Sequence, residues 1–293
     1  MDRAQVADAS FQVNTVQWYP GHIAKAERQL KEQLKMVDVV LEVRDARIPQ
    51  STCHPQVPLW IGSKPRLVVI NRQDMIAKAD RAAWDKHFTS TAVFWTDGKT
   101  GSGVHSLRRA ALKLSDYINA KRAKRGLAPR PVRACVIGFP NIGKSALINR
   151  LLGRRVVESA ARPGVTRVLR WVRLGGELDL LDAPGIIPAA FNDQTAAQAL
   201  AMCNDIGEAS YVNSLIAAAM IIRIKSLPRN RPILARLQQR YRVDPLGMSA
   251  EDFVVHVAGE LFGGDPEKAG LRLLGDYRNG ALGEFALELP GQH

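Results

Sequence analysis

The order of two short segments constrains this chain more than anything else in it. "GFPNIGKS", residues 138 to 145, fits G-x-x-x-x-G-K-[ST] and lies between an apolar strand-like run, "RACVIG" (133–138), and an apolar helical run, "KSALINRLLG" (144–153). That context is the one a phosphate-binding loop requires. Gly138 and Gly143 let the backbone wrap so that N–H groups converge on phosphate oxygens ahead of a helix start. Lys144 is placed to reach the β- and γ-phosphates and Ser145 to ligate Mg²⁺, so the expected nucleotide-contacting segment is Asn141, Ile142, Gly143, Lys144, Ser145 and Ala146. The other segment, "VVINRQD" (68–74), ends an apolar run in Asn-x-x-Asp. It comes first in the chain.

Asp74 can accept hydrogen bonds from guanine N1–H and N2–H₂, donors that adenine lacks, while Asn71 meets the other edge and braces the phosphate loop. Arg72 is expected to lie along the base by stacking. Alone, "NRQD" reads as a polar turn with Asp74 near a helix start. The base-reading role gains from "TDGKTGSG" (96–103) after the next strand, where Asp97, Gly98 and Lys99 can present backbone N–H groups to the guanine carbonyl. Further on, "LDAPG" closes an apolar strand with Asp182, suited to hold Mg²⁺ through water, and Gly185, whose N–H can meet the γ-phosphate. Between them lies "ARPGVTR", in which Thr166 can add a second hydroxyl to the metal from a switch loop. Every part of a GTP and Mg²⁺ site is present, with the base-reading half ahead of the phosphate half. A parallel sheet tolerates this permutation: one connection is cut, and the old ends are joined by the basic stretch "KRAKRGLAPRPVR" (121–133).

The rest of the chain follows from its periodicities. "GHIAKAERQLKEQLKMV" has helical apolar spacing with a charged opposite face, which predicts an amphipathic helix from 21 to about 35. "VDVVLEV", "RLVVI", "TAVFW", "RACVIG", "RVLRWVRL" and "LDLLDAPG" read as strands alternating with helices, the pattern of an α/β domain. Beyond about 190 the segments read as helices, with no convincing strand until the last few residues. The expected fold is α/β: a circularly permuted P-loop GTPase domain with a mostly parallel sheet and flanking helices, plus a C-terminal mostly α-helical domain. The expected division is 1–35 for an N-terminal arm and helix, 36–192 for the nucleotide domain and 193–293 for the helical domain. A 46% hydrophobic share supplies cores, and a formal charge of +13 favours a polyanionic partner, nucleic acid ahead of an anionic membrane surface. Three scattered cysteines read as small buried hydrophobes in a reducing compartment. The longest apolar stretch, "SLIAAAMII", is too short to span a bilayer, so the expected location is cytoplasmic, without stable membrane association.

These residues resemble the circularly permuted GTPases of the YlqF/RbgA type. The likeness includes "WYPGHIAKA" (18–26), "RDARIP" (44–49) and "LLGDYRNGALGEFALE" (273–288), besides the nucleotide loops. It implies GTP hydrolysis to GDP coupled to the large ribosomal subunit and its ribosomal RNA; the protein itself is expected to be monomeric off the ribosome. In that family the histidine of the N-terminal signature has been proposed to help catalysis, which carries over to His22. Ile186 follows Gly185 where many small GTPases carry a water-orienting glutamine, so unaided turnover is expected to be slow. Asn141 matches the asparagine that helps to ligate K⁺ in potassium-dependent GTPases of similar loop sequence. The cation-rich segment "RIKSLPRNRPILARLQQRYR" (223–242) is the expected RNA surface. Two other readings stand beside this one: a nucleotide-gated RNA-binding module with little hydrolysis, and a GTPase steered to a membrane surface by its charge.

Overall fold

A computed structural model of the chain describes residue 16 and residues 23–89, 91–155, 170–174, 176–183, 185–186 and 193–291. They fall into two compact units. One holds the described residues within Tyr19–Ala190 and Glu288–His293, and the other those within Phe191–Leu287 together with Val16.

The first unit is a six-stranded sheet with helices around it. In chain order it contains α1 (Ile23–Leu34), β1 (Val39–Asp45), the short α2 (Val57–Ile61), β2 (Arg66–Asn71), α3 (Lys78–His87), β3 (Val93–Thr96), α4 (Val104–Ala123), β4 (Val132–Ile137), α5 (Lys144–Leu152), β5 (Arg170–Leu174) and β6 (Leu178–Asp182). Every residue of β1 is buried, as expected of a parallel strand covered on both faces, and its β-branched composition suits that place. Glu42, in the middle of β1, is tolerated there because Arg44 and Arg66 donate to its carboxylate at 2.8 and 3.1 Å. The strand order is β3-β2-β1-β4-β6-β5. All neighbours are parallel except β5 and β6. The turn between those two strands, at Gly176 and Glu177, has no room for the crossover a parallel pair needs.

The strand order reverses between β1 and β4, and ligands of open α/β sheets bind outside the carboxyl ends of strands at such a switch point. The loops after β1, β2, β3, β4 and β6 all open on that edge. Beneath it, Leu30 and Leu34 of α1 pack with Val40, Ile137, Leu181 and Ile186 in one buried cluster. Burying two leucines this fully contributes about 4 kcal/mol, which fixes α1 to the sheet.

Glu288 belongs to this unit. Its carboxylate accepts the N–H groups of Gln50 (2.9 Å) and Ser51 (3.1 Å) and the Ser51 hydroxyl. Its own N–H donates to the Arg47 carbonyl at 3.3 Å, and the Trp84 indole donates to its carbonyl at 3.0 Å. Described residues 279–291 form no strand; Phe285, Ala286 and Leu287 are buried in irregular backbone instead.

The second unit is built of helices among its described residues: α6 (Gln194–Met202), α7 (Asn213–Ser226), α8 (Arg231–Tyr241), α9 (Ala250–Leu261) and α10 (Pro266–Arg278), with one 3₁₀ turn and an isolated bridge between Val16 and Tyr211. Asp193, Ser249 and Asp265 cap three of them by accepting first-turn N–H groups. Asp276 is its polar hub, taking Arg240 at 2.5 and 2.8 Å, the Tyr241 hydroxyl at 2.6 Å and Arg272 at 3.1 Å. Cys135 and Cys203 are buried free thiols, and Cys53 is half-buried.

Candidate guanine-nucleotide site

Between β4 and α5 the backbone turns through three left-handed positions, Gly138 (φ 152°), Asn141 (φ 55°) and Gly143 (φ 93°). Carbonyl oxygens along this loop are spent inside the protein. Gly138 accepts from Ile186 N–H and Lys144 Nζ, both at 3.1 Å, and Phe139 from Lys144 Nζ at 2.6 Å. Pro140 accepts from Ile142 N–H at 2.7 Å, Asn141 from Arg72 Nη2, and Ile142 from Asn71 Nδ2 at 2.8 Å. A trans peptide points its C=O and the next N–H in opposite directions. Pulling carbonyls back therefore turns N–H groups such as that of Gly143 outward at the start of α5, where an anion is favoured. Two close approaches demand glycine: a Cβ on Gly143 would lie 2.4 Å from Asn71 Nδ2, and one on Gly185 would lie 2.6 Å from the Pro140 nitrogen.

Asn71 ties this loop to the base-reading end. Its Oδ1 accepts the Thr96 hydroxyl at 3.1 Å and the Gly98 N–H at 3.0 Å, while its Nδ2 holds Ile142. Arg72, itself at φ 63°, sends Nη1 to Asp45 Oδ2 at 3.0 Å and Nη2 to the Asn141 carbonyl. The guanidinium is thus engaged with the protein on both sides. Asp45 is fully buried and also grips Arg47 through two parallel bonds of 2.9 and 2.8 Å. Burial alone would push its carboxyl up, but Arg47 and Arg72 outweigh it and hold the group below the usual carboxylate range.

Asp74 lies in the 3₁₀ turn that follows β2, where burial and then the neighbouring Asp97 push its carboxyl above the usual range. A donor pair such as guanine N1–H and N2–H₂ would relieve that unfavourable charge. Asp97 is built differently. Burial raises its carboxyl too, but the Thr100 hydroxyl and the Lys99 N–H (2.7 Å) outweigh it and hold it low. The N–H groups of Asp97, Gly98 and Lys99 are bonded within the protein. The Asp97 N–H goes to the Ser102 carbonyl and the Gly98 N–H to Asn71, while the Lys99 N–H closes an Asx turn on the Asp97 carboxylate.

On the metal side, Ser145 is the second residue of α5, and Asp182 ends β6 fully buried, in register with Val136 of β4. Among the described residues no cluster of three His, Cys, Asp or Glu side chains forms a metal cage. This donor set fits Mg²⁺, which takes one or two protein oxygens and completes its shell with water and phosphate. Thr166 and His22 lie outside the described residues. Ile186 is buried in the core beside α1, so it packs rather than faces solvent.

Sequence reasoning missed Asp45, Arg47 and Thr96. "RDARIP" was legible as a signature, but its carboxylate's partner lies on the neighbouring strand and carries no local signal.

The family description "50S ribosome-binding GTPase" matches residues 133–237, a stretch that begins at β4 and includes the phosphate half. Ribosome biogenesis GTPase A of Priestia megaterium is 34% identical over 287 residues, covering 95% of this chain and 98% of that protein. The chain belongs to the ribosome biogenesis GTPase A family. The corresponding protein of Bacillus cereus is 35% identical over 283 residues and 94% of each chain. The likeness to ribosome biogenesis GTPase A therefore takes in the base-reading half as well, and the chain is a GTPase whose ligand is a guanine nucleotide. Solved structures share the fold: GNP-bound YlqF from T. maritima, 24% identical, covers 92% of this chain and 100% of its own with a TM-score of 0.61. GDP-bound TM YlqF, 22% identical, gives a TM-score of 0.57. No helix among the described residues is long and apolar enough to cross a membrane.

Proposed function

We propose that this GTPase docks in its GTP form on the maturing large ribosomal subunit, in the cytoplasm and as a monomer, and leaves when GTP is hydrolysed. The observation that carries the reading is the double fastening of the phosphate loop by Asn71 and Arg72, which makes the two permuted halves one site. Lys144 and the loop N–H groups hold the phosphates, Asp74 reads the base, and Ser145, Thr166 and Asp182 would hold Mg²⁺. When bound, the metal neutralises charge developing on the transferred phosphoryl group. Gly185, pressed against Pro140, makes the loop after β6 responsive to the γ-phosphate. His22 supplies the catalytic help that Ile186 cannot, and Asn141 adds a K⁺ ligand at the crest of the loop.

Ribosomal RNA is the partner that the charge supports. Within 223–242, Lys225 and Arg236 turn to backbone carbonyls of their own unit and Arg240 to Asp276. Arg231 and Arg242 stay exposed for phosphate contacts. Co-sedimentation with purified large subunits in GTP, GDP and a non-hydrolysable GTP analogue tests this. Retention with GTP and the analogue but not GDP is expected, and equal retention in all three would overturn it. The buried Ile186 favours a second reading, a nucleotide-gated RNA-binding factor, for which subunits would bind with GTP yet leave turnover unchanged.

A further inference from the structure

Helix α4 carries a row of side chains four residues apart: Arg109, Lys113, Tyr117 and Lys121, continued just past its end by Arg125. All five are exposed, and Tyr117 keeps 62% of its surface in solvent. The row advances about 6 Å along the axis at each step.

From 105 to 133 the chain has nine Lys and Arg and one carboxylate, Asp116. Carboxylates from elsewhere are already matched: Glu177 meets Arg108 at 3.3 Å, and Asp38 meets Arg130 at 2.7 and 2.9 Å. Arg122 turns to the Ala128 carbonyl, and Arg133 lies over Trp171. Arg109, Lys113, Lys121 and Arg125 are thus left facing solvent around an exposed phenol ring. Like charges four apart, such as Arg109 and Lys113, weaken a helix. An ordinary solvated face mixes signs and avoids this cost. Beside the row lies a cleft of about 780 Å³ whose lining includes Arg109, Lys113 and Arg130 together with the carboxylates Asp116 and Glu177, and Tyr117 and Lys121 stand outside it.

We infer that this face of the nucleotide unit binds single-stranded RNA, with the cations of the row on phosphates and Tyr117 stacked on a base. Exposed cations spaced along a helix with an interleaved aromatic are what an unpaired strand requires, since every base offers a face for stacking. The concave cleft suits a strand better than a planar lipid surface. The inference rests on the ribosomal reading above and names a second RNA-contacting surface, separate in sequence from 223–242.

The test is binding of a labelled single-stranded RNA to the full chain over a salt series. Lys113→Gln/Lys121→Gln should weaken binding about tenfold and flatten the log–log salt slope by about 1.4, at 0.7 per lost phosphate contact. Tyr117→Ala should weaken binding about tenfold and leave the slope unchanged. GTP affinity and unaided turnover should stay at wild-type values in both. Wild-type RNA affinity and slope in both variants would overturn the inference. So would variants that lose binding to anionic phosphatidylserine vesicles while keeping RNA. If Arg231→Gln/Arg242→Gln alone removes RNA binding, this surface is wrong and the ribosomal reading stands. If the wild type binds no RNA, both fail.

Discussion

The carboxamide of Asn71 donates to the carbonyl oxygen of Ile142 at 2.8 Å, a hydrogen bond between residues 71 positions apart. The same side chain accepts from Thr96 and Gly98, so one buried group joins three loops. Asn71→Ala would leave buried partners of all three bonds unmatched. It should destabilise the protein by about 2 kcal/mol and lower GDP affinity on the order of tenfold. Urea unfolding and titration calorimetry check the two effects separately.

Asp45 acts on the phosphate loop through Arg72. Asp45→Asn frees the guanidinium from one anchor, and Arg72→Ala removes the donor to the Asn141 carbonyl. Each should raise the KM for GTP about tenfold with kcat little changed, and the double variant should be no worse than Arg72→Ala. Arg47→Ala, which breaks the other bond of the same carboxylate, should cost stability without this change in KM. Steady-state kinetics on the four proteins decide it.

Much of this architecture is legible in the sequence because it depends on local spacing. An apolar strand, a glycine-framed loop and an apolar helix identify "GFPNIGKS" wherever it stands, and "NRQD" follows its strand directly. What is not legible depends on register. Asp45 faces Asn71 across β1 and β2, which brings Arg72 within reach of a carboxylate that no sequence pattern links to it. Likewise, the Asx turn at Asp97 consumes the Lys99 N–H while Asn71, from the neighbouring strand, takes the Gly98 N–H. In 223–242 the charge run looks uniform, yet Asp276 draws Arg240 inward from α10.

Nucleotide binding should be linked to protons through Asp74. Its carboxyl lies above the ordinary 3.8 in the free protein, raised by burial and by Asp97. A guanine donating to the ionised form lowers it again. Binding therefore releases protons in the acid range, and affinity rises with pH through that range. Calorimetry in buffers of different ionisation heat measures the release, and Asp74→Ala should abolish it.

His54 gives stability its own pH dependence. It is buried against Trp60, with Nδ1 accepting from Gln56 N–H and Nε2 without a partner among the described residues, and burial lowers its pKa from 6.5 to about 4. Between those values the unfolded chain binds more protons than the folded one. Stability is therefore complete above 6.5 and falls as pH drops toward 4, by about 3 kcal/mol. His54→Phe should remove that slope in urea unfolding across the same window.

The most direct measurement is steady-state hydrolysis of GTP and ATP in potassium buffer, with and without purified large ribosomal subunits, for wild type and His22→Ala. The account predicts turnover of GTP but not ATP, a strong rise with subunits, and loss of that rise in His22→Ala. Equal turnover of ATP, or GTP turnover that subunits leave unchanged, would contradict it.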